Sequence, residues 1–152
     1  MKQTSIIKKE ESLNDIKVKQ AYESYEKLIV AIEEKNIPEN IKTIIDKEII
    51  ELNEFVGTNN ELFIKIKKSQ ITILSILHSE LKIVAKNHHR NYWLVMGFTI
   101  LGIPLGTAIS LLLDNYGYIG VGLAGGIPIG ILLGKALDKK AAMEGRQLNF
   151  DR

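Results

Sequence analysis

The chain has 152 residues, of which 25% are charged, yet the net charge at neutral pH is only +2. That balance excludes a strongly electrostatic nucleic-acid binder, which would carry a basic surplus on one face, and no nucleic-acid partner is expected. There is no cysteine, so disulfides, thiolate catalysis and cysteine-ligated metals are excluded as well.

Met1-Lys2-Gln3-Thr4-Ser5 leads into mixed charge with no apolar core, so no secretory signal is expected, and the segment to Glu11 reads as a frayed start. Ser12-Leu13-Asn14-Asp15 has the form of a helix opening, with Ser12 as cap and Asp15 in the first turn. Leu13, Ile16, Ala21, Tyr25, Leu28, Ile29 and Ile32 then recur at three- and four-residue steps, which predicts an amphipathic helix to about Lys35. Pro38 suits the first position of a second helix. Its stripe is Ile41, Ile44, Ile45, Ile49, Leu52, Phe55 and Val56, and Gly57 should close it. The short link predicts that these two helices pack antiparallel.

Thr58-Asn59-Asn60-Glu61 has capping-box spacing and should open a third helix. Phe63, Ile66, Ile73, Leu77, Leu81 and Val84 form its stripe, while Ile64, Ile71, Ile76 and Ile83 lie off it. Apolar residues on more than one face call for two packing partners or a second subunit. Residues 63–74 also alternate partly like a β-hairpin, but an isolated hairpin is marginal and no other strand is evident. No Pro or Gly interrupts 61–95, so this helix is free to continue into the next element as one rod.

The next element organises the chain. Tyr92–Leu113 and Tyr118–Gly134 carry no charged side chain, and Asp114-Asn115-Tyr116-Gly117 joins them. About 20 helical residues cross the ~30 Å hydrocarbon layer of a bilayer. The expected fold is therefore all-α: a cytoplasmic helical hairpin or three-helix domain (1–91), a two-helix transmembrane hairpin (92–137, with arms 92–113 and 118–137) and a cytoplasmic tail (138–152). Lys82, Lys86 and Arg90 precede the hairpin and Lys135, Lys139, Lys140 and Arg146 follow it, whereas the turn has no Lys or Arg. Basic flanks stay on the cytoplasmic side, so both termini are expected there. Tyr92, Trp93, Tyr116 and Tyr118 suit the headgroup level.

Each arm repeats one phrase, Gly102-Ile103-Pro104-Leu105-Gly106 and Gly126-Ile127-Pro128-Ile129-Gly130. Pro104 and Pro128 deprive the carbonyls of Ile100 and Ala124 of their usual donors. In lipid those carbonyls need a substitute, with Thr107 and Ser110 the nearest hydroxyls on the first arm. The two prolines lie at similar distances from the turn and are expected at similar depth. Gly122, Gly126, Gly130 and Gly134 recur every four residues, answered by Gly102, Gly106 and Ser110. Small residues in phase let helix backbones approach closely. They serve either to pack the arms on each other or also to join subunits. Thr99, Pro104, Thr107 and Pro128 are the candidates to line a pore in an oligomer.

The second arm, followed by Lys139-Lys140-Ala141-Ala142-Met143-Glu144-Gly145-Arg146-Gln147-Leu148, resembles small bacterial glycine-zipper membrane proteins. The resemblance covers the last third of the chain and implies a bacterial inner membrane.

His78, His88 and His89 have no i,i+4 partner, so no metal site is expected. His88-His89-Arg90 reads as a headgroup-level cluster, with pH sensing as the alternative. No nucleophile motif, phosphate loop or recognisable carboxylate pair appears, so neither enzyme activity nor a cofactor is expected. The expectation is a lipid-embedded homo-oligomer that is pore-like or membrane-disrupting. The alternatives are an anchor presenting cytoplasmic helices to a protein partner, or an immunity-type membrane protein.

Overall fold

In a computed structural model, the structure describes residues 6–8 and 10–151. The expectations for Met1 to Ser5, Lys9 and Arg152 lie outside the described residues. The described chain is all-α apart from two short strands, and it divides into two compact units. The first runs to Val84 and takes in Leu148–Phe150; the second comprises Ala85–Gln147 with Asp151.

The first unit opens on a 3-10 turn, Glu10–Asn14, and then α1 (Ile16–Glu33). The cap of α1 is Asp15, not Ser12. Its carboxylate accepts from the amides of Lys17 at 2.8 Å and Val18 at 3.4 Å. Both residue types cap well, but an anionic acceptor also meets the positive end of the helix dipole. The apolar face shifts with the cap: Val18, Ala21, Tyr22, Tyr25, Leu28, Ala31 and Ile32 are buried, while Ile16 is exposed. Pro38 stands one residue earlier than expected, as the N-cap of α2 (Glu39–Glu54), with its carbonyl accepting from Ile41 and Lys42 at 3.0 and 3.1 Å. Gly57 does not close α2. The chain leaves the helix at Phe55, which is extended (ψ 128°), and a Cβ on Gly57 would meet the Phe55 ring at 2.8 Å.

The capping box at Thr58 and Glu61 forms as the spacing predicts, and α3 (Asn59–Leu81) is helical through the stretch that resembled a hairpin. The Glu61 carboxylate accepts from the Thr58 amide and hydroxyl, both at 2.9 Å, which holds its pKa below the usual range. α3 packs against both α1 and α2, which approach each other less closely than either approaches α3. The second apolar face of α3 is thus partly explained within the chain, although Ile64 and Ile71 stay exposed.

α3 does not continue into the first apolar arm. Lys82 turns left-handed (φ 55°), and the amides of Lys82 and Ile83 fold back onto the carbonyls of His78 and Leu77, each at 3.1 Å. β1 (Val84–Lys86) follows, and Asn87 is left-handed as well (φ 61°). A non-glycine residue pays ~1–2 kcal/mol in this region. Pairing of β1 with β2 (Gln147–Asp151) in a two-stranded sheet, and burial of Val84, Leu148 and Phe150, offset that cost. Residues 147–151, the end of the expected tail, are therefore a strand.

Under the α1 and α2 faces of α3 lies a polar chain that periodicity did not show. The Tyr25 hydroxyl bonds Ser69 Oγ at 3.0 Å, Ser69 reaches Glu48 at 3.3 Å, and Gln70 donates to Ser24 at 3.1 Å. Burial pushes the Tyr25 pKa up to about 12 from 10.0. Below pH 10 the phenol is neutral in both folded and unfolded chains, and its contribution is fully present. Between about 10 and 12 only the unfolded chain ionises, so stability falls as pH rises. The expected outcome is a loss of the order of 2 kcal/mol across that window in wild type that is absent in Tyr25→Phe, read by chemical unfolding of the full chain in detergent.

Candidate membrane hairpin and its glycine face

The second unit begins with α4 (His88–Met96). A wide π-helical segment, Gly97–Gly102, and α5 (Ile103–Leu112) extend it without a break. After a turn comes α6 (Ile119–Met143). The helical stretches His88–Leu112 (25 residues) and Tyr116–Met143 (28 residues) are long and apolar enough to cross a membrane, and only 22% of each apolar window is buried. The core helix of a water-soluble protein would be mostly covered; here Leu111, Leu112 and Leu132 are 71, 84 and 68% exposed. The turn is held by left-handed Asp114, by the Asn115 amide on the Ser110 carbonyl (3.0 Å) and by the Asn115 side chain accepting from the Gly117 amide (2.9 Å).

The two arms pack on each other through their small residues. Gly102, Gly106 and Ser110 are buried on the first arm, as are Gly122, Gly126, Gly130 and Gly134 on the second. A Cβ on Gly126 would lie 2.5 Å from the Gly97 carbonyl oxygen and 2.6 Å from the Gly102 nitrogen. One on Gly134 would lie 2.5 Å from Arg90 Cα. Gly122 faces the backbone of Gly102 and Gly106, and Gly130 that of Trp93 and Gly97. These are backbone contacts that no side-chain rotation relieves. Gly120 and Gly125 lie on other faces of α6, where an added Cβ would meet nothing within 4 Å.

Gly97 belongs to this face although the four-residue phase of Gly102 and Gly106 passes over it. The π segment explains why. It spends an extra residue per turn, with the Ile103 amide reaching back to the Phe98 carbonyl, and so brings Gly97 and Gly102, five apart, onto one side. The segment sits where the Pro104 ring would press on the Ile100 carbonyl. The five-residue step ahead of a proline was the available signal.

The prolines do not share a depth. Pro104 lies between Gly102 and Gly106, which both approach Gly122; Pro128 lies between Gly126 and Gly130, which both approach Gly97. Along α6 that is an offset of about 9 Å at ~1.5 Å per residue. Pro104, Pro128, Thr99 and Thr107 are all exposed on the outside of the hairpin. The threonine hydroxyls donate to their own helix, Thr99 to the Val95 carbonyl at 2.9 Å and Thr107 to that of Ile103 at 2.8 Å. Neither replaces the donor that Ile100 loses. Ser110 Oγ is buried without a hydrogen-bond partner among the described residues.

One contributor escaped the sequence reading. Asp138, buried at 7% exposure, stands one step past Gly134 in the same four-residue series. Its two carboxylate oxygens accept from the amides of His89 at 3.0 Å and Arg90 at 2.9 Å. The first amides of α4 have no partner within the helix, and Asn87 gives no side-chain cap. The end of the second arm therefore caps the start of the first, with an anion at the positive end of a helix. A lone acid among Lys135, Lys139 and Lys140, in phase with the glycines, was the legible clue.

No protein-family model, curated protein or solved structure matches the chain.

Gly126→Ala should destabilise the hairpin by ~1–3 kcal/mol because backbone must move, whereas Gly125→Ala should be neutral or slightly stabilising, as read by thermal unfolding in detergent. Asp138→Ala should cost ~1–2 kcal/mol, with the amides of His89 and Arg90 losing protection from hydrogen exchange ahead of the rest of α4.

Proposed function

We propose that the chain is a non-enzymatic inner-membrane protein in which a closed hairpin anchors a cytoplasmic helical module that presents α1–α3 to a protein partner. One observation carries this reading over a pore: the glycine faces of the two arms are spent on each other, backbone to backbone, within a single chain. A hairpin closed in this way needs no further copy to cover its small-residue face. The basic flanks, Lys86 and Arg90 before the hairpin and Lys135, Lys139 and Lys140 after it, support cytoplasmic termini, because the turn carries only Asp114. The C-terminal resemblance to bacterial glycine-zipper proteins supports the bacterial inner membrane.

A homo-oligomeric pore is the second reading, and a different surface favours it. Pro104, Pro128, Thr99 and Thr107 lie outside the hairpin, near carbonyls whose α-helical donors are lost to proline. In lipid such groups are satisfied by protein or water, which a ring of copies closing around this outer face would supply. A membrane-disrupting effector would use the same face.

Mass measurement in native lipid, together with a hairpin exchange, separates the two. The anchor predicts a single copy without conductance, and partner capture that survives replacement of 92–137 by an unrelated hairpin. A discrete oligomer that conducts in planar bilayers, and loses conductance on the exchange, would replace it with the pore.

A further inference from the structure

α3 carries two stripes. Leu62, Ile66, Ser69, Ile73 and Leu77 form the buried one. On the opposite side Ile64, Lys68, Ile71, Ser75, His78 and Lys82 follow one another at four- and three-residue steps, which places them on one helix face. Ile64 is 56% and Ile71 49% exposed. Lys67 flanks the stripe, and neither Lys67 nor Lys68 has a carboxylate within 4 Å in any ion pair among the described residues. No acid interrupts the stripe. The two acids of α3 are Glu61, engaged with Thr58, and Glu80, off the stripe. α2, in contrast, carries more carboxylates than lysines.

We propose that this outer face of α3 is a docking surface for anionic lipid headgroups, with Lys67 and Lys68 at the phosphates and Ile64 and Ile71 in the interfacial layer. The inference rests on the reading that the hairpin crosses a bilayer. Charge complementarity selects the occupant: a face that bears lysines and protruding isoleucines, with no acid beyond Glu61 at its N-terminal end, has the make-up of an interfacial helix. Residues 82–87 alone link α3 to α4, so the face is tethered to the bilayer that its own chain enters. The start of that span is itself basic, at Lys86 and Arg90, as suits a leaflet rich in anionic lipid.

The absence of cysteine allows single-cysteine probes in the full chain. Ile64→Cys, Ile71→Cys, Glu23→Cys on exposed α1 and Leu132→Cys on the exposed side of α6 are each labelled with an environment-sensitive fluorophore. Each is placed, one protomer per disc, in nanodiscs of phosphatidylcholine alone or mixed with phosphatidylglycerol, with nitroxide lipids as quenchers. Headgroup nitroxides should quench positions 64 and 71 in the anionic discs and leave position 23 bright. Lys67→Glu with Lys68→Glu should lower the docked population by more than about fivefold, since each lysine near an anionic surface multiplies partition roughly that much. High salt should do the same. Equal quenching at 64, 71 and 23, or quenching indifferent to phosphatidylglycerol, overturns the proposal, as does an apolar shift in emission at 64 and 71, without headgroup quenching, that appears only in parallel discs holding two protomers, which would assign the face to a second copy. Position 132 separates the failures: if acyl-chain nitroxides leave it unquenched, the membrane-spanning reading itself has failed.

Discussion

The approach of one backbone to another at Gly97, Gly102 and Gly106 against Gly122, Gly126 and Gly130 is the contact on which the rest of the hairpin depends. Lipid supplies no hydrophobic drive for two apolar helices to associate, because the tails are as apolar as leucine. What holds such helices together is dispersion at close range and whatever polar contacts survive there. Glycine makes the close range possible. Once the arms are in contact, the outward apolar side chains meet no other part of the hairpin and stay exposed, as suits helices long and apolar enough to cross a membrane. Asp138 acts at the end of the same seam. It continues the glycine series by one step and closes the open amides of α4, so the register of packing and the cap of the first arm are set by one residue spacing.

The fold was legible where one period dominated. The uncharged arms and the capping box at Thr58 each pointed to a helix, while the four-residue glycine series marked a close-packing face and left open whether it also joins subunits. Where two solutions were close in energy, local pattern was not enough. Ser12 and Asp15 are both competent caps, and the charge on Asp15 together with the burial of Val18 and Tyr22 decided between them. The stretch from Glu61 to Val95 has no Gly or Pro, so nothing local forbids a rod. The break at Lys82 and Asn87 is set by a partner strand more than sixty positions away in sequence, which no window on the stretch contains. The buried run from Tyr25 through Ser69 to Glu48 hid for a related reason: Ser69 and Gln70 occupy core positions on α3, but a search for apolar periodicity passes over polar side chains.

The apolar hairpin shows the same division. Gly102, Gly106, Ser110, Gly122, Gly126, Gly130 and Gly134, marked by their spacing, are buried between the arms, whereas Gly120 and Gly125 lie on other faces of α6. Gly97 was missed because the π segment shifts the phase, and Asp138 because an acid among lysines reads as surface charge until its helical phase is counted. Pro104 and Pro128 pair by their distance from the turn, and Thr99 and Thr107 join them as hydroxyl-bearing candidates to line a pore. The packing register sets the prolines more than a turn apart, and the threonine hydroxyls are already engaged with the carbonyls of Val95 and Ile103, one turn back in their own helix. The hairpin thus joins a closed inner seam to an outer surface of prolines, threonines and bulky apolar residues, and these two surfaces answer different functional questions.

The claim that the arms meet through glycine inside one chain is most directly tested by solid-state NMR in lipid bilayers, with glycine Cα carbons isotopically labelled. Cross-peaks joining Gly97 and Gly102 to Gly126, and Gly106 to Gly122, should appear and should keep their intensity when labelled chains are diluted into unlabelled ones. Absence of these cross-peaks, or their disappearance on dilution, would show that the glycine faces meet between chains or not at all, contrary to the structure described.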